Sequence, residues 1–104
     1  RAIAARLAAA GASILAHYNK NEAGVQRLLQ EIGAGEALQA DLADERAVDA
    51  MLDAARPTML VHNAALQTVE SLATMSLAAW RSMMAANLDS AFMLTQRLAN
   101  AMQA

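Results

Sequence analysis

Short apolar runs alternate with amphipathic helical segments along this chain, and this alternation limits the fold more than any other feature. Strands are predicted at 12–18, 37–40 and 58–62, with helices before, between and after them. Because the runs are mostly apolar rather than alternating with polar residues, they are typical of strands buried on both faces. The order α-β-α-β-α-β-α therefore predicts an α/β fold: a doubly wound parallel sheet, with three strands and four helices of a larger fold.

The residues that flank the helical segments agree with this order. Asn21, Asp44 and Ser76 each stand where a side-chain oxygen can cap the first turn of a helix. Gly11 and Gly33 follow predicted helices, at the position where a helix commonly ends in a left-handed residue. The last helix, predicted over 77–103, is the longest.

The composition excludes several classes of function. The chain has no cysteine, which removes disulfides, thiolate metal sites and a cysteine nucleophile, and its two histidines are too few for a histidine-built metal site. The net charge of −2 and the sequence pI near 5.5 offer no electrostatic surface for nucleic acid or anionic lipid. The longest uncharged run near the start, Leu7–Ala16, is too short to span a bilayer. We expect a cytoplasmic protein without nucleic-acid, membrane or metal partners.

Polar side chains follow each of the three predicted strands, at the point where the strand ends. They are Tyr18, Asn19 and Lys20 after the first strand, Asp41 after the second and Asn63 after the third. Each of them alone is explained by a turn or a helix cap, which asparagine and aspartate favour. At three consecutive strand ends they instead favour a binding site, because ligands of open parallel sheets bind outside the carboxyl ends of the strands.

Asn87 interrupts the apolar stripe of the last helix. The stripe consists of Trp80, Met84, Leu88, Ala91, Leu98 and Met102. We expect this stripe to be buried, and an asparagine in mid-helix on a buried face is unfavourable by propensity and needs hydrogen-bond partners. It either caps a neighbouring loop, or loosens the helix backbone and organises water or a substrate. The pattern does not separate these alternatives.

Several motifs of this chain resemble those of the classical short-chain dehydrogenase/reductase family. Leu60–Ala65, read L-V-H-N-A-A, resembles the N-N-A-G segment that follows the family's fourth strand. Asp41-Leu42 is similar to the Asp-hydrophobe pair after the third strand, and Trp80 followed by Asn87-Leu88 resembles the W-x(6)-N-[LV] pattern of the long helix. The resemblance covers essentially the whole chain and is closest to 3-oxoacyl-ACP-reductase-like or pteridine-reductase-like members.

The sequence departs from the family pattern in several places. The first strand with its glycine-rich loop is absent, as are the catalytic serine and the Y-x-x-x-K pair; Tyr18 is the only tyrosine. His62 replaces the first asparagine of N-N-A-G, and Ala65 replaces its glycine. We therefore expect residues 1–104 to be a partial NAD(P)-binding Rossmann domain, incomplete at both ends, which is inactive by itself.

The resemblance implies a function for the full-length protein. It would be an NAD(P)(H)-dependent oxidoreductase that transfers a hydride between nicotinamide and a carbonyl or alcohol substrate. Of the family's catalytic residues only the asparagine is present, as Asn87, which would support a water and distort the helix. The residues implied to bind cofactor are Tyr18, Asn19, Lys20, Asp41, Leu42, Asn63, Ala64 and Ala65. The alternative function is a non-catalytic nucleotide-binding α/β module used for regulation or assembly.

The end of the first predicted strand also bears on the choice of cofactor. NAD-preferring members tend to place a carboxylate there, which binds both ribose hydroxyls. Here the stretch is His17-Tyr18-Asn19-Lys20, with no carboxylate before Glu22. We expect NADP(H) to be favoured over NAD(H), because lysine and asparagine tolerate a 2′-phosphate that a carboxylate repels.

The last helix is apolar over more than one face. Phe92 and Leu94 flank the main stripe, and Met93 lies on the side that is otherwise polar. One helix packed on a sheet needs only one apolar face, so this breadth indicates a second partner. The resemblance implies a homodimer or homotetramer formed through helix 77–103.

Overall fold

The computed structural model describes the backbone of residues 1–103 and all of their side chains except those of Asn100 and Ala101. The chain divides into two compact units, Arg1–Asp41 and a second that begins at Leu42. The first contains α1 (Ala2–Ala9), β1 (Leu15–Tyr18), α2 (Glu22–Ile32) and β2 (Glu36–Gln39). The second contains α3 (Glu45–Ala54), α4 (Leu77–Met84), a π turn (Ala85–Asp89) and α5 (Ser90–Gln103).

The first unit is a β-α-β arrangement with a further helix before it. β1 and β2 are parallel and pair from Leu15 opposite Glu36 to Tyr18 opposite Gln39. Both strands were predicted, although β1 is shorter than expected and β2 begins one residue earlier. Since parallel strands end at the same edge, the segments after Tyr18 and Gln39 lie side by side.

The predicted helix caps are confirmed. The Asn21 side chain accepts a hydrogen bond of 3.1 Å from the Gly24 N–H, and Ser76 Oγ accepts one of 3.0 Å from the Ala79 N–H. Asp44 Oδ1 accepts from the N–H groups of both Arg46 and Ala47, at 3.0 and 3.3 Å. Gly33 has a φ of 81°, the left-handed conformation predicted for the end of α2.

The second unit packs α3 against α5. Val48 of α3 and Leu94 and Leu98 of α5 are buried. At the same junction the Arg97 guanidinium forms ion pairs with Asp49 and with Glu45, the second at 2.8 Å. The hydrogen bond to Asp49 contributes most to raising the pKa of Arg97 above its ordinary value, with burial opposing the shift. These ion pairs connect α3 and α5 on the solvent-exposed side of their contact.

The predicted third strand is not formed. Residues 58–62 have irregular backbone, and Met59 and Val61 are exposed. Strand propensity depends on a neighbouring strand to pair with, and the described part of the second unit contains no other strand. The prediction of a third strand was wrong, because apolar and β-branched composition favours a strand without supplying the partner strand that it pairs with.

The long final helix is confirmed, but its stripe is only partly buried. α4, the π turn and α5 follow one another without a break, and Leu98 is buried as expected. Trp80, Leu88 and Met102 are exposed, so the expectation that one continuous stripe is buried was wrong for them. None of the helices in the described chain combines the length and apolarity needed to cross a membrane.

Two valines give a matched test of this packing. Val48 is 0% exposed and Val69 is 92% exposed, so the same truncation removes buried methyl groups at only one of them. We expect Val48→Ala to lower the free energy of unfolding by about 2 kcal/mol, through lost burial and a residual cavity. Val69→Ala should change it by less than about 0.5 kcal/mol. Urea denaturation of both variants checks this, and equal effects would contradict the assigned core.

Candidate functional site

The Asn87 side chain pairs with a single residue of the loop before the final helix. Asn87 Nδ2 donates to the Leu66 carbonyl at 2.7 Å, and Asn87 Oδ1 accepts from the Leu66 N–H at 2.6 Å. The Asn87 side-chain amide thus bonds Leu66 as a backbone peptide group would, through one donor and one acceptor. Asn87 itself is exposed, although its place in the apolar stripe had suggested a buried face.

The helix backbone around Asn87 is a π turn. Asn87 is the central residue of Ala85–Asp89, and the Ser90 N–H donates to the Ala85 carbonyl, five residues back. Single π turns within α-helices are rare and occur frequently at functional sites. The two alternatives left open by the sequence are therefore both realised in part, because Asn87 binds a loop and also lies where the helix is distorted.

A second contact joins the same loop to the long helix. His62 Nε2 and the Thr95 hydroxyl are 3.0 Å apart. The loop residues 62 and 66 contact helix residues 95 and 87, so this stretch of loop runs antiparallel to the helix. Asn63, Ala64 and Ala65, three of the residues expected to bind cofactor, lie between the two contacts and are exposed.

The other expected site residues lie at the carboxyl ends of β1 and β2. Tyr18 ends β1 and is half-buried, whereas Asn19 and Lys20 are exposed. The Gln39 side chain donates through Nε2 to the Asn19 carbonyl at 3.1 Å. This bond connects the turn after β1 to the last residue of β2, which limits where Asn19 and Lys20 can move.

Backbone groups near Asp41 are held by a histidine. His17 Nε2 is 2.7 Å from the carbonyl of Ala40, and the Ala40 N–H donates to the Tyr18 carbonyl at 3.1 Å. Asp41, the next residue, is exposed and ends the first unit. Leu42 is half-buried and begins the second unit. The structure thus brings Tyr18–Lys20 and Asp41 to one strand edge, and Asn63–Ala65 and Asn87 to one loop and helix.

Several residues that hold these groups were missed by the sequence reasoning. Gln39 and His17 each bond a backbone carbonyl on the neighbouring segment, and a correct parallel register would have placed both beside their partners. Thr95 could have been found from its position two helical turns after Asn87. No signal in the sequence identifies Leu66, because Asn87 binds its backbone and not its side chain.

A model of the short chain dehydrogenase family matches residues 1–104. The chain belongs to this family. Its fold is accordingly of the α/β Rossmann type, of which the β1-α2-β2 unit is a part. The resemblance of the motifs to the short-chain dehydrogenase/reductase family is confirmed.

Individual relatives agree with this assignment. The chain is 30% identical to 3beta-hydroxysteroid dehydrogenase 1 of Eggerthella lenta, over 88% of this chain and 38% of that protein. It is similar to a short chain dehydrogenase from Burkholderia cenocepacia J2315 in complex with NADP, with 30% identity and a TM-score of 0.84 over 95% of this chain and 44% of that one. A gluconate 5-dehydrogenase from the same organism, in complex with NADP and tartrate, gives 30% identity and 0.77 over 95% and 42%. The chain spans less than half the length of each.

The pairing of Asn87 with Leu66 can be tested by removing only the amide donor. Asn87→Asp keeps an oxygen for the Leu66 N–H but turns a second oxygen toward the Leu66 carbonyl. We expect the free energy of unfolding to fall by about 1 kcal/mol, the net contribution of one hydrogen bond between exposed groups, and amide exchange at Leu66 to become faster. Gln96→Glu, the same chemical change at an exposed position of α5, is the control. Unchanged exchange at Leu66 in Asn87→Asp would contradict the pairing.

Proposed function

We propose that the full-length protein is an NAD(P)(H)-dependent oxidoreductase that transfers a hydride between nicotinamide and a small carbonyl or alcohol substrate. Family membership supports this, as do relatives named as dehydrogenases. The observation that carries it is the π turn at Asn87, whose side chain holds the loop that contains Asn63, Ala64 and Ala65. Because single π turns occur frequently at functional sites, this turn favours a catalytic role over a module that only binds nucleotide.

The residues present fit a dinucleotide. The edge formed by Tyr18, Asn19, Lys20 and Asp41 offers a phenol, an amide, an ammonium and a carboxylate at the carboxyl ends of parallel strands, where such ligands bind. Nicotinamide supplies the carbon that gives or accepts the hydride. The family resemblance implies that Asp41 and Leu42 would contact the adenine and that Asn63–Ala65 would contact the ribose through backbone groups. Asn87 holds that loop and supports a water at the helix distortion.

The function is tested with purified full-length protein and a panel of ketones, aldehydes and secondary alcohols that includes a 3β-hydroxysteroid and gluconate. We expect NAD(P)H consumption or formation with at least one of them, and a lower kcat in Asn87→Ala. Nucleotide binding without turnover on the whole panel would instead support the non-catalytic module.

The 104-residue chain by itself should show no turnover with the same panel. It contains no Tyr-x-x-x-Lys, the pair expected to supply the general acid, and such a group contributes typically about 10²- to 10⁴-fold to the rate. Any NAD(P)H turnover by this chain above a buffer control would contradict the assignment of the proton-transfer step to residues outside it.

We further propose a preference for NADP(H) over NAD(H), which the charge at the end of β1 supports. The turn after β1 carries one cation, Lys20, beside Asn19 and Asn21. The Asn21 side chain caps α2, and the Asn19 carbonyl accepts a hydrogen bond from Gln39. No carboxylate lies between Tyr18 and Asn21, and Glu22 is already in the first turn of α2. An ammonium attracts a 2′-phosphate, which a carboxylate at the strand end would repel.

We expect Tyr18→Asp to shift the ratio of kcat/KM for NADPH and NADH about 10- to 100-fold toward NADH, the equivalent of one charge-assisted hydrogen bond. Tyr18→Phe, which removes the hydroxyl without adding charge, should leave the ratio nearly unchanged. Steady-state kinetics with both cofactors decides this. A wild-type enzyme that already prefers NADH would contradict the proposal.

The exposed face of the long helix supports assembly with a second copy. Leu88 and Phe92 are one turn apart and are 57% and 64% exposed, and Trp80 of α4 is 49% exposed. Leu94, expected to belong to the same surface, is instead buried, and Met93 is only half-buried. Phe92 thus remains the strongest contact residue for a homodimer or homotetramer formed through helix 77–103.

Phe92→Glu should convert the full-length protein to smaller species at micromolar concentration, because a two-fold interface places the new charge against a fixed partner twice. Phe92→Leu, which keeps an apolar side chain, should leave the oligomer intact. Size-exclusion chromatography with light scattering measures both. A monomeric wild type, or a Phe92→Glu variant of unchanged size, would overturn the interface.

A further inference from the structure

Ser90 carries the one buried polar side chain in the described part of the chain. It is 4% exposed and begins α5, directly after the π turn. Its hydroxyl donates to the Ala86 carbonyl, four residues back. The caps, ion pairs and loop contacts of the long helix do not involve this hydroxyl.

The hydrogen bonds around the π turn show what this hydroxyl does. In a regular α-helix the Ala86 carbonyl accepts from the N–H four residues later, which is that of Ser90. Here the Ser90 N–H donates to the Ala85 carbonyl instead. The Ala86 carbonyl thereby loses its α-helical donor, and Ser90 Oγ supplies another. One residue therefore serves two consecutive carbonyls.

This arrangement differs from the common back-bonding of serine in helices. An ordinary helical serine shares a carbonyl that already accepts a backbone N–H, so its hydroxyl adds little. At Ala86 that N–H has been diverted by the extra residue of the turn. A polar group without a partner in a half-buried setting costs free energy, so the Ser90 hydroxyl stabilises the π conformation in particular.

The π turn also determines the position of the Asn87 side chain. Asn87 lies between Ala86 and Ser90, and it contacts Leu66 with both side-chain polar atoms, at 2.6 and 2.7 Å. Such a two-point contact requires a defined backbone orientation, since a small rotation about the helix axis separates at least one pair of atoms. We propose that Ser90 is a positioning residue: its hydroxyl satisfies the carbonyl that the π turn deprives, and so holds the Asn87 amide against Leu66.

The contact at Leu66 can be followed without any substrate. In the full-length protein, amide exchange at Leu66 reports opening of its bond to Asn87. We expect Ser90→Ala to accelerate this exchange roughly tenfold. Ser90→Thr, which keeps the hydroxyl, should behave as wild type, as should the control Ser82→Ala at an exposed position of α4. Unchanged protection of Leu66 in Ser90→Ala overturns the proposal.

A further variant covers the case in which Ser90→Ala does not fold. Ser90→Cys keeps the shape of the side chain but has a weak donor, so amide exchange at Leu66 should be faster than in wild type. Wild-type protection in Ser90→Cys would overturn the proposal equally, because the hydroxyl donor would then be dispensable.

The kinetic consequence rests on the proposed function. Ser90→Ala should lower kcat/KM for the cofactor roughly tenfold, because misplacement of Asn87 also displaces the loop that carries Asn63–Ala65. In an Asn87→Ala background, Ser90→Ala should cause no further loss, because both act through one contact. Independent, multiplying losses would overturn the positioning role. A wild type without turnover would refute the proposed function, while exchange at Leu66 still decides the role of Ser90.

Discussion

The paired hydrogen bonds between the Asn87 amide and the Leu66 backbone are the interaction on which the candidate site depends. The loop from Ala55 to Met75 contains no regular secondary structure other than a turn, so its own backbone bonds do not define its course. Leu66 at one point and His62 at another connect it to the long helix. Without these contacts the residues between them would have no defined position for a ligand.

The same physical device recurs at the strand edge of the first unit. There the side chains of His17 and Gln39 bond backbone carbonyls of the neighbouring segment, at 2.7 and 3.1 Å. In both places a polar side chain on a regular element satisfies a backbone group of an irregular one. These contacts are compatible with a binding site, because the exposed residues beside each of them keep their side chains available to a ligand.

Much of the fold was predictable because its signals are local. Caps such as Asp44 act on N–H groups two and three residues away, and Gly33 acts through its own φ angle. These effects do not depend on the rest of the molecule. Local signals were not sufficient at residues 58–62, where the composition indicated a strand that was not formed. A strand exists only through pairing with another strand, which composition does not reveal.

The candidate site was likewise predictable only in part from the sequence. The sequence by itself determined which residues are available: the polar positions after the strands, the absence of a carboxylate before Glu22, and an asparagine in mid-helix. Only the three-dimensional structure decided that Asn87 binds the distant Leu66, and that the helix forms a π turn in which Ser90 Oγ takes over the Ala86 carbonyl. Both partners are backbone groups, which every residue carries alike. Their choice therefore depends on the path of the chain and not on the identity of the side chain.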